Sequence, residues 1–472
     1  MSAREVVIIG GGVSGLAVAH ALSQREDAPQ VTVLEASDRL GGKIVANTVA
    51  GRSIDAGPDA LLVRDPAVRT LLDALGLTPS ITAPKARGSF IWTRGRLRAL
   101  PPATLFGVPE RLRPLLASGL ISWPGLLRAA ADLVLPRTRI ADPDPSVGAL
   151  LRPRLGREVF ERLVDPLIGG IYAGRADLLS ARSSVPEVAA ILAPARSVYR
   201  TMRARAAKRP SASGAPAPVL ISFPGGMPRI IVALRSGVRG DIELGAEVVR
   251  IKQREDGRYR IRTADGRKFK ADEVVVAAPA HAAAAMLRRL DAELADALAD
   301  IPYASVATVT LAYPTAALRT SLRGTGFLVP AVEGRFIVGC TWMDEKWGRD
   351  VLIASGTDEP ADDALRYIRV SVGRHGDDRW TTMDDDAIVA TVHAELAEAM
   401  GITAAPQVSR VQRWPAAMPQ YTVGHAERLA RIERRIDTLP GLHLLGAGYR
   451  GVGVASCLTS AQAIASRIGT DA

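Results

Sequence analysis

The sequence predicts an α/β protein in which a parallel sheet is assembled from separate pieces of the chain. Three observations predict this. The apolar run Glu5–Ile9 passes through a glycine-rich turn into an apolar helix that starts at Leu16. A second short apolar strand, Val31–Leu34, follows that helix. A third buried strand, Asp272–Pro279, and a fourth strand with a glycine loop, His443–Gly453, come much later. Short apolar runs between turns and helices are typical of parallel strands that are covered on both faces. The sequence also predicts a strand at Glu243–Ile251, followed by a hairpin whose turns lie at Asp256-Gly257 and Asp265-Gly266.

The first turn has the spacing of a dinucleotide-binding motif. Its glycines Gly10, Gly12 and Gly15 match G-x-G-x-x-G between a strand and a helix, with Gly11, Val13 and Ser14 in the intervening positions. Such glycines permit a tight turn, a close approach of the backbone to a pyrophosphate, and close packing of helix on strand. The helix N-terminus then offers N–H groups to the anion. Glu35 ends the second strand, where a carboxylate accepts hydrogen bonds from a ribose 2′-hydroxyl and repels a 2′-phosphate, which excludes NADP.

The residues after Glu35 distinguish between dinucleotides. The segment Glu35–Lys43 resembles the E-x-x-x-R-x-G-G-[RK] extension of flavin amine oxidases and their relatives. The resemblance implies FAD as the cofactor, bound in a discontinuous Rossmann-like domain. Ala36, Arg39, Gly42 and Lys43 are then candidate cofactor contacts. Arg39 can pair with a phosphate, and glycine at position 42 lets the backbone pass close to the cofactor.

Composition excludes several other classes. The net charge of +11 comes without basic runs interleaved with aromatic residues, which make up only 4% of the 472 residues, so nucleic acid is not an expected partner. The two cysteines, Cys340 and Cys457, lack metal-ligand spacing and predict a reducing compartment without a zinc site. The most apolar stretch, Leu115–Leu135, is interrupted by Pro124, Arg128 and Asp132. The stretch therefore does not predict a membrane-spanning helix. We expect a cytoplasmic protein, and peripheral contact with the inner face of the membrane is left open.

Five further segments resemble the oxygen-dependent protoporphyrinogen/coproporphyrinogen oxidase family. They are Ile54–Ala60, Leu97–Pro101, Leu167–Ser180, Trp414–His425 and Gly448–Gly453, the last followed by Cys457. Ala60 departs from the usual serine of the first segment, and Ala455–Ser456 replaces the Pro-Asp that precedes the cysteine in the family. The resemblance implies further FAD contacts at Gly57, Pro58, Asp59, Ala60, Val248, Trp414, Gly451, Val452 and Gly453. It implies no catalytic side chain, because the flavin takes the hydride.

The resemblance also implies how the chain is divided. The FAD-binding domain is expected to comprise residues 1–82, 215–285 and 435–472, and a mixed α+β substrate domain residues 83–95, 201–214 and 286–434. A helical insertion is expected at residues 96–200, and its Leu115–Leu135 stretch is either a lid over the substrate cavity, which is the preferred interpretation, or a membrane-surface patch.

The segments Phe106–Pro109 and Ala117–Gly125 are most similar to the branch of the family found in Gram-positive bacteria. That branch implies oxidation of coproporphyrinogen III by hydride transfer from a meso carbon, with O₂ as the acceptor and H₂O₂ as a product. Arginine suits the four propionates, since a guanidinium grips a carboxylate with two hydrogen bonds. The candidates are Arg87 and Arg96, with Arg94 and Arg98 nearby, while Gly170, Ile171 and Tyr172 are implied to line the cavity.

Several alternatives remain open at this point. The substrate could be protoporphyrinogen IX, or the chain could be an amine oxidase, a carotenoid desaturase, a non-catalytic FAD protein or an NAD dehydrogenase. A transient contact with the next enzyme of the haem pathway is a further expectation, and the oligomeric state is open.

Overall fold

The computed structural model describes residues 4–102, 104–137, 142–208, 218–318, 322–349, 351–352 and 364–469. The strands are β1 (Glu5–Ile9), β2 (Gln30–Leu34), β3 (Ala46–Val49), β4 (Arg52–Asp55), β5 (Leu61–Leu62), β6 (Phe90–Thr93), β7 (Arg96–Ala99), β8 (Thr104–Leu105), β9 (Val108–Pro109), β10 (Leu220–Ile221), β11 (Asp241–Glu243), β12 (Val248–Gln253), β13 (Tyr259–Thr263), β14 (Lys268–Ala271), β15 (Glu273–Val276), β16 (Tyr303–Pro314), β17 (Gly326–Leu328), β18 (Ile337–Trp342), β19 (Leu365–Val372), β20 (Val408–Pro419) and β21 (Leu442–Leu444).

The α-helices are α1 (Val13–Ser23), α2 (Pro66–Ala74), α3 (Leu112–Ser118), α4 (Trp123–Ala130), α5 (Val147–Leu155), α6 (Arg157–Val159), α7 (Asp165–Tyr172), α8 (Ala181–Ser184), α9 (Pro186–Leu192), α10 (Val198–Ala207), α11 (Pro228–Ser236), α12 (Ala280–Leu287), α13 (Ala292–Ala299), α14 (Met343–Trp347), α15 (Asp385–Met400), α16 (His425–Ile436) and α17 (Val454–Arg467). A π-helical turn at Phe160–Val164 joins α6 to α7. Short 3₁₀ turns lie at Thr78–Ser80, Ala131–Leu133, Thr315–Ala317, Ala331–Glu333 and Arg379–Thr382.

The predicted parallel sheet is present and has the strand order β11-β2-β1-β15-β21. All four of its strand pairs are parallel, so the carboxyl ends of the strands meet at one edge. Its central strands are apolar and buried because helices such as α1 and α17 cover them. Strands from the beginning, the middle and the end of the chain are thus neighbours, which confirms the predicted α/β fold and its discontinuous sheet.

One strand prediction is wrong. The run Glu243–Ile251 was expected to form a single strand, but β11 ends at Glu243 and β12 begins at Val248. Gly245 turns the chain between them with a φ of 62°. The turn is held by backbone hydrogen bonds from Gly245 to Ser37 and from Ala246 to Glu35. The chain therefore leaves the parallel sheet and enters a separate antiparallel sheet, β12-β13-β14, whose two predicted turns fall at Gly257 and Gly266.

The second large sheet contains seven strands in the order β20-β16-β19-β18-β17-β6-β7. One of its faces packs against α15, with Ile388, Val392 and Leu396 fully buried in the contact. The other face, near β6 and β17, packs against the helical region α3–α10, whose core is a separate apolar cluster. Among the described residues, no helix is both long and apolar enough to cross a bilayer.

Candidate functional site

The glycine turn lies at the carboxyl edge of the parallel sheet, where β1 ends. Gly10 has a φ of 112°, which a residue with a side chain rarely adopts, and its N–H donates to the carbonyl of Leu34 over 2.8 Å. A Cβ at Gly15 would lie far inside van der Waals contact of the Gly10 carbonyl oxygen. The first turn of α1 therefore packs directly on the end of β1, and only glycine fits there. The N-cap of α1 is Gly12, which offers no side chain to the first N–H groups of the helix.

Glu35 joins the glycine turn to the second strand. Its Oε2 accepts from the N–H of Gly11 over 2.6 Å, and its Oε1 accepts from the N–H and hydroxyl of Ser37 over 2.9 and 2.7 Å. Its carbonyl accepts from Ala246, two residues before Val248. The structure thus brings Gly11, Glu35, Ala36 and Val248 into one small region, where the sequence places the adenosine end of the cofactor.

A second helix N-terminus reaches the same edge. Helix α17 begins after Gly451, Val452 and Gly453, and its N-cap Gly453 supplies no capping side chain. Helices α1 and α17 pack against each other. Two helix starts with uncapped N–H groups at one sheet edge make a favourable setting for an anionic cofactor.

Arg39 and Lys43 stand beside these helices. Arg39 is exposed and donates to the carbonyl of Gly42 over 3.0 Å. Lys43 is half-buried and forms no ion pair with any described carboxylate, and burial lowers its pKa. A phosphate-bearing cofactor would supply the missing negative charge. Glycines without room for a Cβ, two open helix starts and an unpaired lysine all fit FAD.

The loop Ala56–Ala60, which follows β4, is held by side chains from the seven-stranded sheet. The carbonyl of Ala56 accepts from Trp414 Nε1 over 3.1 Å and from Thr308 Oγ1 over 2.7 Å. Arg369 Nη1 donates to the carbonyls of Asp55 and Gly57, both over 2.9 Å. A Cβ on Gly57 would collide with the carbonyl of Lys43, so the loop also packs tightly on the FAD-type extension. These contacts hold the predicted flavin loop against the seven-stranded sheet and the FAD-type extension.

Asp59 of this loop is buried in a group of three donors. Its carboxylate lies 2.7 Å from Lys346 Nζ, 3.2 Å from Trp347 Nε1 and 3.4 Å from Arg369 Nη2. Burial opposes ionisation of Asp59, but Lys346 and Arg369 outweigh it and hold the pKa of this carboxyl well below its usual range. Asp59 therefore ties the predicted flavin loop to α14 and β19 as an ion. Pro58 and Ala60 occupy the same loop without side-chain hydrogen bonds.

Asp55, four residues earlier, has the opposite environment. Burial and the nearby charge of Asp59 raise its pKa to about 7, although Arg369 works against the rise. Its carboxyl accepts a single hydrogen bond from a described backbone group, the N–H of Met227 over 3.0 Å. The pKa of Asp55, at the end of β4, and that of Asp59, in the loop, are thus shifted in opposite directions.

This difference predicts a pH-dependent stability. Because the pKa of Asp55 is raised in the folded state, its contribution to stability is largest below pH ~4 and is lost as the pH rises to about 7. Asp55→Asn keeps the acceptor for Met227 and removes the charge. We expect the variant to be more stable than the wild type at pH 8 by roughly 2–4 kcal/mol, and to differ little near pH 4. Denaturant unfolding at both pH values measures this, and an identical pH slope in the two proteins would contradict it.

Two segments that carried the family resemblance meet beside the loop Ala447–Gly453. Tyr421 donates its hydroxyl to the carbonyl of Ala447 over 2.6 Å and accepts from the N–H of Gly451 over 2.8 Å. Gln420 is fully buried and donates to the carbonyl of Tyr172 over 2.7 Å. The ring of His425 stacks on Tyr421 at 4.1 Å. The Trp414–His425 segment thus holds the loop that leads into α17.

Tyr421→Phe should weaken this loop. The change leaves the carbonyl of Ala447 and the N–H of Gly451, both partly buried, without their partner, at a cost of about 1–3 kcal/mol. We expect a lower melting temperature together with a shifted flavin absorption spectrum. Tyr172→Phe is the matched control, because it removes a single buried hydroxyl that donates to Ser184. The control should leave the flavin spectrum unchanged. An unchanged spectrum in Tyr421→Phe would show that Tyr421 does not position the loop that leads into α17.

The residues predicted to bind substrate lie in two places. Gly170 and Ile171 are exposed at the end of α7, beside Leu328 of β17. Tyr172 is buried instead, with its hydroxyl on the carbonyl of Ser184 and its ring against Tyr421, so it supports the segment from within. Arg94 is paired with Glu158 over 3.1 Å.

The remaining candidates lie on or near β7. Arg98 is opposite Ile91, which is opposite Leu328, so the three side chains share the sheet face that meets the helical region. Arg96 shares this face because it is two residues from Arg98. Arg87 is exposed in the loop before β6.

Sequence reasoning missed three residues that hold the two loops. Lys346 and Arg369 hold the predicted flavin loop, and Tyr421 holds the loop that leads into α17. The first two are distant in sequence from Asp59, and no local pattern marks them as its partners. Tyr421 stood within a recognised segment, but its hydroxyl contacts depend on the position of Gly451.

The fold and the site together define a dinucleotide-binding flavoprotein of the oxidoreductase class. The chain belongs to the flavin containing amine oxidoreductase family, whose profile matches residues 13–469, and FAD is its cofactor. This confirms the cofactor and the enzyme class expected from the sequence.

The similarity extends over nearly the full chain to particular enzymes. The coproporphyrinogen III oxidase of Bacillus subtilis is 31% identical over 98% of this chain and 97% of its own length. That of Mycobacterium bovis is 34% identical, with 98% and 96% covered. A crystal structure of a protein named as a protoporphyrinogen oxidase from Exiguobacterium superposes with a TM-score of 0.85 at 31% identity, and 99% of each chain is covered.

Proposed function

We propose that this FAD-dependent oxidoreductase converts coproporphyrinogen III to coproporphyrin III in haem biosynthesis, with O₂ as the acceptor and H₂O₂ as the second product. The observation that carries the proposal is the near-full-length similarity to the coproporphyrinogen III oxidases of Bacillus subtilis and Mycobacterium bovis. The contact between the Leu167–Ser180 and Trp414–His425 segments, at the loop leading into α17, supports it.

FAD supplies the chemistry by accepting a hydride from the substrate and passing the electron pair to O₂. The chain binds and orients it. We assign the pyrophosphate to Gly10–Gly15 and the start of α1, the ribose to Glu35, and the flavin ring to the loops Gly57–Ala60 and Gly451–Gly453, with Trp414 fixing the first of these through Ala56. Lys43 and Arg39 provide positive charge beside the cofactor.

The division of the chain follows the same assignment. The FAD-binding domain comprises residues 1–82, 215–285 and 435–472, and the substrate domain residues 83–95, 201–214 and 286–434. Residues 96–200 form the helical insertion. The parallel sheet supports the first unit. The seven-stranded sheet supports the second, except that its edge strand β7 falls within residues 96–200. Helices α3–α9 lie within the third unit, and α10 runs from it into residues 201–207. Parts of residues 201–214 lie outside the described chain.

We place the substrate on the sheet face shared by Arg96, Arg98 and the exposed end of α7 at Gly170–Ile171. Guanidinium groups on this face can hold propionates by paired hydrogen bonds. Arg98→Gln should then raise the KM for coproporphyrinogen III several-fold and leave the flavin content unchanged. Arg260→Gln, which removes the same charge from another sheet, is the control.

The direct test offers the purified holoenzyme each porphyrinogen in turn and follows porphyrin fluorescence and peroxide, with and without oxygen. We expect faster formation of coproporphyrin III, and its dependence on oxygen. Faster formation of protoporphyrin IX would replace the proposed substrate with the one named for the Exiguobacterium structure. A bound flavin that dithionite reduces but neither porphyrinogen reduces would overturn the enzymatic assignment.

The Leu115–Leu135 stretch bears on where the enzyme works. Three of its apolar side chains are largely exposed: Trp123 at 70%, Leu127 at 71% and Val134 at 78%. Trp123 and Leu127 lie four residues apart on one face of α4. This exposure favours a peripheral contact with the cytoplasmic membrane surface over the lid interpretation, because a lid would turn these side chains inward.

Co-sedimentation with phosphatidylglycerol vesicles tests the contact. We expect the wild type to sediment with the vesicles and the double variant Trp123→Ser with Leu127→Ser to remain in solution. Equal sedimentation of the wild type and the double variant would contradict this contact and favour the lid interpretation.

A further inference from the structure

The outward face of the antiparallel sheet β12-β13-β14 carries six basic side chains. The pairing places Arg250 opposite Arg262, and Arg262 opposite Lys268; it also places Lys252 opposite Arg260, and Arg260 opposite Lys270. Directly opposed side chains of like charge destabilise an antiparallel sheet. Among the described residues, none of these six forms an ion pair with a carboxylate, whereas their neighbours Arg254, Arg258 and Arg267 all do.

A cavity of about 550 Å³ opens at one end of this face, between the sheet and the end of α12. Four arginines line it, namely Arg250, Arg262, Arg288 and Arg289, and its lining contains no acidic residue. Its size is within the range of small-molecule sites in proteins. None of the residues assigned to FAD lines the cavity, although Val249, which does, directly follows the assigned Val248.

Two of the four arginines have a local explanation. Arg288 and Arg289 follow the C-terminal end of α12, where the helix dipole favours positive charge, and Arg288 is also paired with Asp296. Arg250 and Arg262 have none. They are on adjacent strands at directly opposed positions, and the Nε of Arg250 is buried with no hydrogen-bond partner. A buried donor without a partner is costly, and so is an unscreened pair of like charges. An anion in the cavity would remove both costs.

We propose that this cavity binds a small polyanion that carries at least two phosphate or carboxylate groups. Guanidinium forks recognise both groups with two parallel hydrogen bonds, and four of them around one cavity suit a ligand with more than one such group. The remaining basic residues of the face, at positions 252, 260, 268 and 270, raise the local positive potential and attract the ligand from solution.

The test uses the full-length holoenzyme and two probes, inorganic pyrophosphate and citrate, in calorimetric titrations at low salt. We expect at least one probe to bind, and Arg262→Gln to weaken binding roughly tenfold, since it removes a charge-assisted contact. Lys270→Gln is the matched control, because it removes the same charge from the same face but not from the cavity lining. It should weaken binding less than about twofold. Binding of pyrophosphate alone assigns a phosphate ligand, and binding of citrate alone assigns a carboxylate ligand.

Thermal unfolding provides a second readout. The bound probe should raise the melting temperature of the wild type but not that of Arg262→Gln. Without a probe, Arg262→Gln should be at least as stable as the wild type, because it removes one member of the opposed pair. If that variant does not fold, Arg289→Gln replaces it, since Arg289 is exposed after α12. Failure of both probes to bind at millimolar concentration, or equal losses in Arg262→Gln and Lys270→Gln, would overturn the proposal.

Discussion

Replacing Gly15 with alanine is expected to strip most of the FAD from the protein. The new Cβ would overlap the carbonyl oxygen of Gly10, which is backbone and cannot rotate away, so either the turn or the start of α1 must move. Overpacking of this kind costs about 1–3 kcal/mol, and the cost falls on the segment assigned to the pyrophosphate. We expect FAD affinity to fall roughly tenfold or more, measured by the flavin-to-protein absorbance ratio after dialysis. Gly15→Val should have a larger effect.

A control is needed for general destabilisation of α1. Ala21→Gly lowers the helix propensity of the same helix by ~1 kcal/mol without approaching the glycine turn. It should reduce the melting temperature and keep the flavin content. Full flavin content in Gly15→Ala would refute the assignment of the turn to the cofactor.

Replacing Asp59 with asparagine is expected to be the most destabilising of the conservative changes considered for the site. It leaves the ammonium of Lys346 and the guanidinium of Arg369, whose side chains are 13% and 11% exposed, without their shared counter-ion. Removing one member of a buried ion pair costs about 3–5 kcal/mol. The predicted flavin loop should detach from the seven-stranded sheet, so the loss appears in both the unfolding free energy and the flavin content.

An exposed ion pair provides the comparison. Asp385 pairs with Arg413 over 2.6 Å, but its side chain is 58% exposed, so Asp385→Asn should cost at most about 1 kcal/mol.

The pH dependence of the unfolding free energy provides a second test of Asp59. The pKa of Asp59 is lowered on folding, so its stabilisation is complete above pH ~4 and is lost as the pH falls through the folded-state pKa. Denaturant unfolding between about pH 2 and pH 5 should show this acid loss in the wild type but not in Asp59→Asn. Equal losses in the variants at positions 59 and 385 would contradict the buried-pair account.

Much of the cofactor region could be predicted because its determinants are local. The strand at Glu5–Ile9, the glycines at positions 10, 12 and 15, and Glu35 follow from apolar periodicity and from the space that a tight turn allows. The turns at Gly257 and Gly266 were predicted for the same reason. The prediction failed at Glu243–Ile251, because the strand residues on the two sides of Gly245 belong to different sheets. Local propensity does not say which sheet a strand joins.

The sequence by itself determined the α/β class, the dinucleotide turn and the FAD-type extension, since each depends on residues within one strand–turn–helix unit. Only the tertiary structure decided what holds the loop after β4. Lys346, Arg369 and Trp414 reach Ala56–Asp59 from elements nearly 300 or more positions away, because the seven-stranded sheet packs against this loop. The opposed arginines at 250 and 262 likewise became visible only through strand register. Long-range pairing of charges and carbonyls depends on how whole sheets pack, and no local spacing encodes it.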